Sequence, residues 1–539
     1  MMEQSMEVDY IIVGAGSAGC VLAERLSRDT GMRVLIIEAG GSDARFWIKM
    51  PLGYAHTFSD PRVTWQYSTQ TDPGLNNRSA YWPRGRVLGG SGSINAMAYV
   101  RGLPHDFDDW EAAGASGWNW QTVLKTYEKL ESQWENGRIS GDGPLCISDL
   151  SARMHPFSAH FLQAARELNW PTPRNMNSAP EGGLSYFRST VKNGRRWSTA
   201  DAFLRPALQH RHVQLVKHAV VERLAIDNGQ AVGVHYRLGG QLILAKARRE
   251  VIVSAGAINT PQLLQLSGIG PAALLQSHGI KVVQDLSQVG QGLQDHLACT
   301  HYFAATEPTL NAKLGWKVGQ FMAGMQYLLT RNGPLSVPVN QVGGFIRSDT
   351  SREHPDMQVY CNPAAYQIRA DGKTVMTRDP GFLLSVQPCR PTSRGSVTIR
   401  SANPADAPLI QANSLTTEHD CADAIRAGRL LQTLAGTPTI KRLTRPSAGT
   451  DLLSMNDEQL LDNFRTRAST NFHPTCTCRM GHNANDSVLD ARLRVHGVPG
   501  LRVVDASAFP NVTSGNTNAP TIMLAMRAAD LILEDARAK

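Results

Sequence analysis

The fold is decided near the N-terminus by the stretch Asp9-Tyr-Ile-Ile-Val-Gly-Ala-Gly-Ser-Ala-Gly19. Its first five residues are typical of a short buried strand, and its glycines precede an apolar run with helical spacing, Cys20–Leu26. A second apolar run, Arg33–Ile37, ends in Glu38. A strand, a glycine-rich turn, a helix, a strand and an acid in this order predict the βαβ unit of a dinucleotide-binding fold.

Each residue type in this unit has a physical task. We expect Gly14 to permit the tight turn, Gly16 to let the backbone approach a pyrophosphate, and Gly19 to let the helix pack closely on the strand. Ser17, in the same turn, is expected to contact the cofactor where the helix N-terminus faces the phosphate charge. Glu38 is expected to accept the hydroxyl protons of the adenosine ribose, and its charge disfavours the 2′-phosphate of NADP.

The composition is that of a globular protein too long for one ordinary core. The chain has 539 residues, of which 42% are hydrophobic and 19% charged, so two domains are expected. The net charge is +8, but the Lys and Arg residues are scattered. Because no basic stripe with stacking aromatics is present, we expect no nucleic-acid binding. A weak attraction to anionic lipid surfaces stays open.

The spacing of the cysteines bears on disulfides and metal binding, and the N-terminal sequence bears on where the protein is located. The eight cysteines are dispersed and only Cys476 and Cys478 lie close together, so neither a disulfide framework nor a metal site is expected. The first residues are acidic and polar, unlike a secretion signal, and no run reaches the ~20 apolar residues of a membrane span. We therefore expect a cytoplasmic protein, with a peripheral position at the inner face of the membrane left open.

Later segments are expected to return to the N-terminal sheet. Glu250–Ser254 and Leu501–Asp505 have the pattern of buried strands, and an apolar helix is expected from about Thr521 to Leu533. The dinucleotide-binding domain is thus predicted to be discontinuous and to be closed by the last strand and helix.

Residues 300–460 have a different pattern. Phe382–Gln387 and Gly395–Arg400 are predicted strands, the second with the alternation of a half-buried antiparallel sheet. Gln358–Cys361 is expected in the same sheet, and helices such as Cys421–Thr433 are expected to cover one face. The fold class predicted is therefore mixed α/β, with a Rossmann-like domain and an interleaved domain built on an antiparallel sheet flanked by helices.

Ordered motifs along nearly the whole chain carry a family likeness. They are Gly85-Arg-Val-Leu-Gly-Gly-Ser-Gly-Ser-Ile-Asn95, Gly256-Ala-Ile-Asn-Thr-Pro-Gln-Leu-Leu-Gln-Leu-Ser-Gly-Ile-Gly270, Asn471-Phe-His-Pro-Thr-Cys-Thr-Cys-Arg-Met-Gly481 and Gly515-Asn-Thr-Asn-Ala-Pro-Thr521. With them the chain resembles the glucose–methanol–choline (GMC) flavin oxidoreductases, most closely the bacterial choline dehydrogenase-like, alcohol and sorbose dehydrogenases. The resemblance implies FAD as cofactor, a two-domain fold and the oxidation of alcohols.

The resemblance also suggests how the chain is divided. Residues 1–299 are expected to form the main part of the FAD-binding domain, with some cap segments inserted, and residues 300–460 the substrate-binding domain. Residues 461–539 are expected to return to the FAD domain and to carry the catalytic residues.

Several cofactor contacts follow from the same likeness. Gly90, Ser91 and Asn95 are expected to line the flavin and pyrophosphate, where a stretch almost without side chains suits a planar ring. Some relatives carry the flavin covalently on a His at the position of Ile94, so we expect dissociable, non-covalent FAD here. Val221 resembles a valine that touches the adenine through its backbone, although a plain strand residue is the alternative.

Three C-terminal residues are expected near the cofactor. Asp505 ends the last predicted strand and Ala506 follows it, at the ribityl or pyrophosphate region; the alternative for Asp505 is an N-cap of the following turn. Asn518 resembles a residue that lies close to the flavin ring.

The chemistry of alcohol oxidation needs a base and a hydrogen-bond donor for the developing alkoxide. His473 is predicted as the base, with its backbone restrained by Pro474, and Asn516 as the amide that donates to the substrate oxygen. His296 lies in a family-like stretch and is expected to be structural. Cys476 is expected to pack or to narrow the pocket.

The substrate and the acceptor stay open at this point. The leading hypothesis is an alcohol dehydrogenase that acts on a primary alcohol or polyol and reduces a quinone or cytochrome. The alternatives are an oxidase that uses O2, a hydroxynitrile-lyase-like enzyme on the same fold, and a non-enzymatic flavin carrier. Tyr360 and Asn362 are proposed as pocket residues, and the oligomeric state is not predicted.

Overall fold

The N-terminal sheet is the frame of the molecule, for which a computed structural model describes residues 6–28, 31–135, 138–368, 374–446 and 452–538. In it β1 (Met6–Val13) runs parallel to β2 (Val34–Glu38), and α1 (Ser17–Ser27) connects them. All five residues of β2 are buried, as expected for a parallel strand covered on both faces. The predicted βαβ unit is confirmed.

The remaining strands of this sheet come from distant parts of the chain. In spatial order they are Val213–Lys217, β2, β1, Gln241–Val253, Gln230–Leu238 and Ala219–Asp227, with Leu501–Val503 pairing in parallel with Gln241–Val253. The C-terminal helix Asn518–Ala538 packs against α1. The sheet is therefore closed by the last strand and helix, as the sequence predicted.

The second large sheet is antiparallel. Its order is Ser469–Thr470, Leu297–Ala304, Gly381–Pro388, Met357–Asn362, Val342–Ile346 and Gly183–Tyr186. The helix Glu418–Ala435 packs on the central strand Gly381–Pro388. The mixed α/β fold class is confirmed, and the divisions at residues 299 and 460 stay predictions.

One predicted strand belongs to a different sheet than expected. Gly395–Thr398 pairs with Gln291–Leu293 and Leu409–Gln411, and not with the strand Gly381–Pro388. Alternation of apolar and polar residues specifies which face of a strand is buried, but not which strand it pairs with. Here Val397 packs in a small separate cluster with Ile410.

The other elements are short strands and helices that surround these sheets. The further strands are Thr64–Ser68, Tyr81–Gly85, Glu131–Glu135, Arg138–Ser140, Leu145–Asp149, Arg188–Ser189, Val191–Lys192, Arg195–Arg196, Ile269–Gly270, Gln284–Asp285, Tyr366–Ile368 and Thr374–Met376. The further α-helices are Phe46–Lys49, Tyr54–Thr57, Pro104–Ala112, Trp120–Leu130, Ser158–Glu167, Arg205–Ala207, Gly256–Leu266, Ala272–Ser277, Leu310–Leu314, Lys317–Thr330, Pro438–Leu443 and Asp457–Arg467.

Close packing of α1 on β1 depends on one glycine. A Cβ at Gly19 would lie 1.9 Å from the carbonyl oxygen of Gly14, closer than atoms approach without a backbone shift. Gly19 therefore acts as the sequence predicted, by letting the helix approach the turn that follows the strand.

We predict that Gly19→Ala destabilises the protein by about 1–3 kcal/mol, because the backbone must move to accept the methyl group. The measurement is the melting temperature. Gly324→Ala is the matched control, since Gly324 also lies in a helix and its added Cβ would meet no atom within 4 Å. Equal melting temperatures for the two variants would contradict the packing argument.

Candidate active site

A cavity of about 460 Å³ lies between the two large sheets. Every predicted site residue except Gly19 lines it: Gly14, Gly16, Ser17, Glu38, Gly90, Ser91, Asn95, Val221, His473, Asp505, Ala506, Asn516 and Asn518. The cavity thus joins the glycine-rich N-terminal turn to the C-terminal residues predicted to carry the chemistry.

One end of the cavity is a cradle of bare backbone. Gly14 has a φ of +98°, and a Cβ there would lie 2.6 Å from the carbonyl oxygen of Ser254. A Cβ at Gly90 would lie 2.7 Å from the Cα of Gly16. Gly16 is the N-cap of α1 and has no side chain, so no capping side chain covers the first amides of the helix where they border the cavity. This end suits a pyrophosphate.

Glu38 lies beside this cradle at the end of β2. Its two carboxylate oxygens accept the backbone N–H groups of Gly40 at 2.7 Å and Ala15 at 2.8 Å. Burial raises the pKa of this carboxyl, and the two N–H donors oppose that rise. The side chain is therefore held rigidly on the cavity wall, and its contact with a ribose stays a prediction.

The asparagine and serine residues of the first motif are held by protein contacts. Asn95 Oδ1 accepts from Arg196 Nη1 at 2.6 Å and from the Met97 amide at 3.0 Å. Ser91 Oγ accepts the Gly85 amide at 3.0 Å. These bonds fix the glycine-rich loop against the cavity.

Asp505 makes the contacts of an N-cap, which is the alternative role given for it above. Its carboxylate accepts from the amides of Gly256 and Ser507, each at 2.8 Å, and from the Thr260 hydroxyl at 2.6 Å. The side chain thus caps the turn that follows, and its contact with a cofactor stays a prediction. Asn518 Oδ1 accepts the Ser17 hydroxyl at 2.8 Å.

The other end of the cavity brings His473 and Asn516 together. Asn516 Nδ2 lies 3.2 Å from His473 Nε2. His473 is 7% exposed, and burial lowers its pKa well below the usual range of an imidazole. The neutral ring is therefore the stable form near neutral pH, as a general base requires.

His296 decides which nitrogen of His473 carries the proton. Its Nε2 lies 2.9 Å from the carbonyl oxygen of Cys389, which can only accept, so this nitrogen is protonated. Burial lowers the pKa of His296 to about 4, so the neutral ring keeps its Nδ1 unprotonated. That Nδ1 lies 2.9 Å from Nδ1 of His473, which must donate. Neutral His473 is thereby left with an unprotonated Nε2, whose lone pair accepts from the Asn516 NH2 group.

A chain of side-chain amides orients Asn516. The Oε1 of Gln358 accepts from the Tyr360 hydroxyl at 2.8 Å and from Gln387 Nε2 at 2.9 Å. Its Nε2 is therefore free to donate to Asn516 Oδ1, at 3.3 Å. Asn471 in turn donates to Gln387 Oε1. Because its oxygen is engaged in this way, Asn516 points its NH2 group toward the imidazole.

The backbone around His473 is held from two sides. The His473 amide donates to Asp295 Oδ1 at 2.7 Å, and Arg84 Nη1 donates to the Phe472 carbonyl at 2.8 Å. Burial raises the pKa of Asp295 to about 6 and lowers that of Arg84 to about 10. The position of the imidazole is thus fixed by its backbone as well as by its ring.

Sequence reasoning missed some of these contacts. His296 was expected to be structural but touches the predicted base, and Gln358 was not singled out. The sequence feature that could have pointed to a role of His296 in the site is its place in a family-like stretch. Tyr360 and Asn362 line the cavity, whereas Cys476 is buried with its thiol on Gln294 Oε1 and Thr475 Oγ1, at 3.2 and 3.1 Å.

Two kinds of feature are absent from the residues that the structure describes. In those ranges no group of three or more His, Cys, Asp or Glu side chains is placed to hold a metal ion. Nor do they contain a helix with the length and apolar character needed to cross a membrane.

Comparisons with known proteins agree with this geometry. Residues 8–298 and 391–525 match the N- and C-terminal parts of the GMC oxidoreductase family. The chain is 41% identical to an oxygen-dependent choline dehydrogenase of Vibrio vulnificus (97% of this chain, 94% of the relative). It is 39% identical to an alcohol dehydrogenase [acceptor] of Pseudomonas putida (97% and 95%).

A solved structure has the same fold. Pyridoxine 4-oxidase from Mesorbium loti superimposes with a TM-score of 0.85 at 29% identity, over 97% of this chain and 98% of that one. The family likeness seen in the motifs therefore extends to the whole fold. The chain belongs to the GMC oxidoreductases and is an FAD-dependent oxidoreductase that acts on CH–OH donors.

Proposed function

We propose that this protein oxidises a primary alcohol to an aldehyde, with His473 as the base, and passes the electrons to a quinone- or cytochrome-type acceptor. The observation that supports the proposal is the unprotonated Nε2 of His473, paired with the Asn516 NH2 group, in the cavity that contains the dinucleotide cradle. We propose that FAD is bound without a covalent link, since the buried residue at the position of the covalent His in some relatives is Ile94.

The residues of the chain divide the work of the reaction. FAD, when bound, accepts a hydride from the substrate carbon. His473 Nε2 takes the hydroxyl proton, and the resulting imidazolium keeps its Nδ1–H on His296. Asn516 Nδ2 donates to the substrate oxygen as negative charge develops there. Burial excludes water, which strengthens both interactions.

The wall near the base supports an uncharged substrate with an apolar body. The aromatic ring of Phe58 packs against Phe472, with centroids 5.4 Å apart, and both residues line the cavity with Tyr360. The described carboxylates of the lining lie elsewhere: Glu38 and Asp505 at the cofactor end, and Asp406 in a loop bonded to the helix Gly256–Leu266. A cationic alcohol would find no carboxylate beside His473 among these residues, so we propose an alkyl or aryl primary alcohol and keep choline as the alternative to be tested.

The test is anaerobic flavin reduction by alkyl, aryl and polyol alcohols and by choline, in the wild type and in His473→Ala. We expect alkyl or aryl primary alcohols to bleach the flavin fastest. We expect His473→Ala to retain FAD and to reduce it about 10²–10⁴-fold more slowly, because general-base catalysis is lost.

His301→Gln is the matched control for this substitution. His301 is also a buried imidazole, with a pKa lowered by burial to about 4, but its ring bonds to Asn463 and it does not line the cavity. Near-normal reduction in His473→Ala would remove His473 as the base. Stoichiometric peroxide in air would identify an oxidase, and turnover without any bleaching would identify a lyase.

The role of Gln358 predicts a second kinetic effect. Gln358→Glu keeps the size of the side chain but replaces the donor that faces Asn516 Oδ1 by an acceptor. We expect the rate of flavin reduction to fall roughly tenfold or more, because Asn516 then turns its oxygen toward the base. The FAD content is expected to stay unchanged.

The control is Gln341→Glu at another buried glutamine. The Oε1 atom of Gln341 accepts from the His155 amide and the Ser158 hydroxyl, which a carboxylate also does. If both Glu variants reduce flavin at the wild-type rate, Gln358 does not orient Asn516.

A further inference from the structure

An exposed apolar face lies on the helix Lys317–Thr330. Its members are Val318, Phe321, Met322, Met325, Leu328 and Leu329, of which Val318, Phe321 and Leu329 are 76%, 67% and 77% exposed. We call this set the outer apolar face. A folded protein usually buries apolar side chains of these types, so six exposed ones on one helix call for an explanation.

The apolar stripe of this helix is exposed, although its spacing is that of a helix that packs against a core. Positions 318, 321, 322, 325, 328 and 329 form one continuous stripe on an α-helix, of the kind that normally packs inward. In this helix only Ala323 and Tyr327 are buried. The apolar stripe therefore has no partner among the described residues and is presented outward.

Neighbouring aromatic side chains extend the surface. Trp316, directly before the helix, is 52% exposed. The ring of Phe46 contacts that of Tyr327, with centroids 6.2 Å apart, and Phe46 and Trp47 are themselves exposed. The exposed surface thus combines a helix with aromatic side chains from a second segment.

The charges of the helix and of the sequence that flanks it have one sign. Residues 308–348 contain no Asp or Glu. Lys313 precedes the helix, Lys317 begins it, and Arg331 directly follows it. The guanidinium of Arg378 lies 5.2 Å from the ring centre of Trp316. None of these four cations forms an ion pair with another described residue.

We propose that the outer apolar face docks onto the surface of an anionic lipid bilayer. An apolar stripe bordered by cations and an interfacial Trp is the arrangement that binds acyl chains and anionic headgroups together. A second copy of this chain fits less well, because a two-fold pairing of the face would bring the same uncompensated cations together. Docking would be peripheral and independent of the reaction assigned to the cavity.

The position of the helix connects this surface to the cavity. Ala323 packs in a cluster with Leu310, Leu314 and Val339, against which Tyr54 also packs. Tyr54 in turn lines the cavity. Docking by the outer apolar face would therefore place a wall of the cavity close to the bilayer, within reach of apolar compounds dissolved in it.

The test is co-sedimentation of the full-length FAD-loaded protein with vesicles of phosphatidylcholine, with and without phosphatidylglycerol. We expect binding to the phosphatidylglycerol vesicles that weakens as salt is raised. We expect the double variant Phe321→Glu, Leu329→Glu to bind at least roughly tenfold more weakly, while its FAD content and its reduction by a water-soluble alcohol stay normal.

The matched control places two Glu residues at exposed apolar positions away from the face, Ile139→Glu with Leu242→Glu. This variant is expected to bind like the wild type. Absence of wild-type binding, or equal losses in the two double variants, would overturn the proposal. So would a wild-type dimer in sedimentation velocity that Phe321→Glu, Leu329→Glu converts to a monomer, since the face would then be an interface between copies.

Discussion

The contact on which the site depends is the hydrogen bond between the Nδ1 atoms of His296 and His473. Two neutral imidazoles can share it only if one ring gives the proton and the other accepts it. The carbonyl of Cys389 settles the direction, because it claims the Nε2–H of His296. The carbonyl of Cys389 thus determines, through His296, that Nε2 of His473 carries a lone pair. Burial keeps both rings neutral.

The antiparallel sheet makes this arrangement possible by bringing distant segments together. His296 directly precedes the strand Leu297–Ala304, which pairs with Gly381–Pro388, and Cys389 directly follows that second strand. The strand Met357–Asn362 carries Gln358 on the other side of Gly381–Pro388. His473 is therefore oriented by one strand end and Asn516 by the neighbouring strand, so both depend on the same register.

The residues that sequence reasoning placed well are those whose role is local. Gly14, Gly16 and Glu38 lie within one βαβ unit, where the order of residues already implies their geometry. His473 and Asn516 were identified through motifs of the family. The roles of His296 and Gln358 depend on contacts across 177 and 158 positions of the chain, which no local pattern encodes.

The same limit explains one wrong prediction and one feature that the sequence analysis did not predict. The alternation in Gly395–Thr398 predicts a strand correctly but leaves its partner undefined, so that strand was assigned to the wrong sheet. The stripe on the helix Lys317–Thr330 has the spacing of a core-facing helix, and only the packing shows that it points outward. Periodicity identifies a face, and the tertiary structure decides what covers it.

The role of the hydrogen bond from His473 to His296 is tested most directly by the rate of anaerobic flavin reduction in His296→Asn and His296→Leu. The amide oxygen of Asn can take the place of Nδ1 as acceptor, whereas Leu fills a similar volume and accepts nothing. We expect His296→Asn to stay near the wild-type rate and His296→Leu to fall at least roughly tenfold with FAD retained, because the proton of His473 then redistributes between its nitrogens. Equal rates in the two variants would contradict the account.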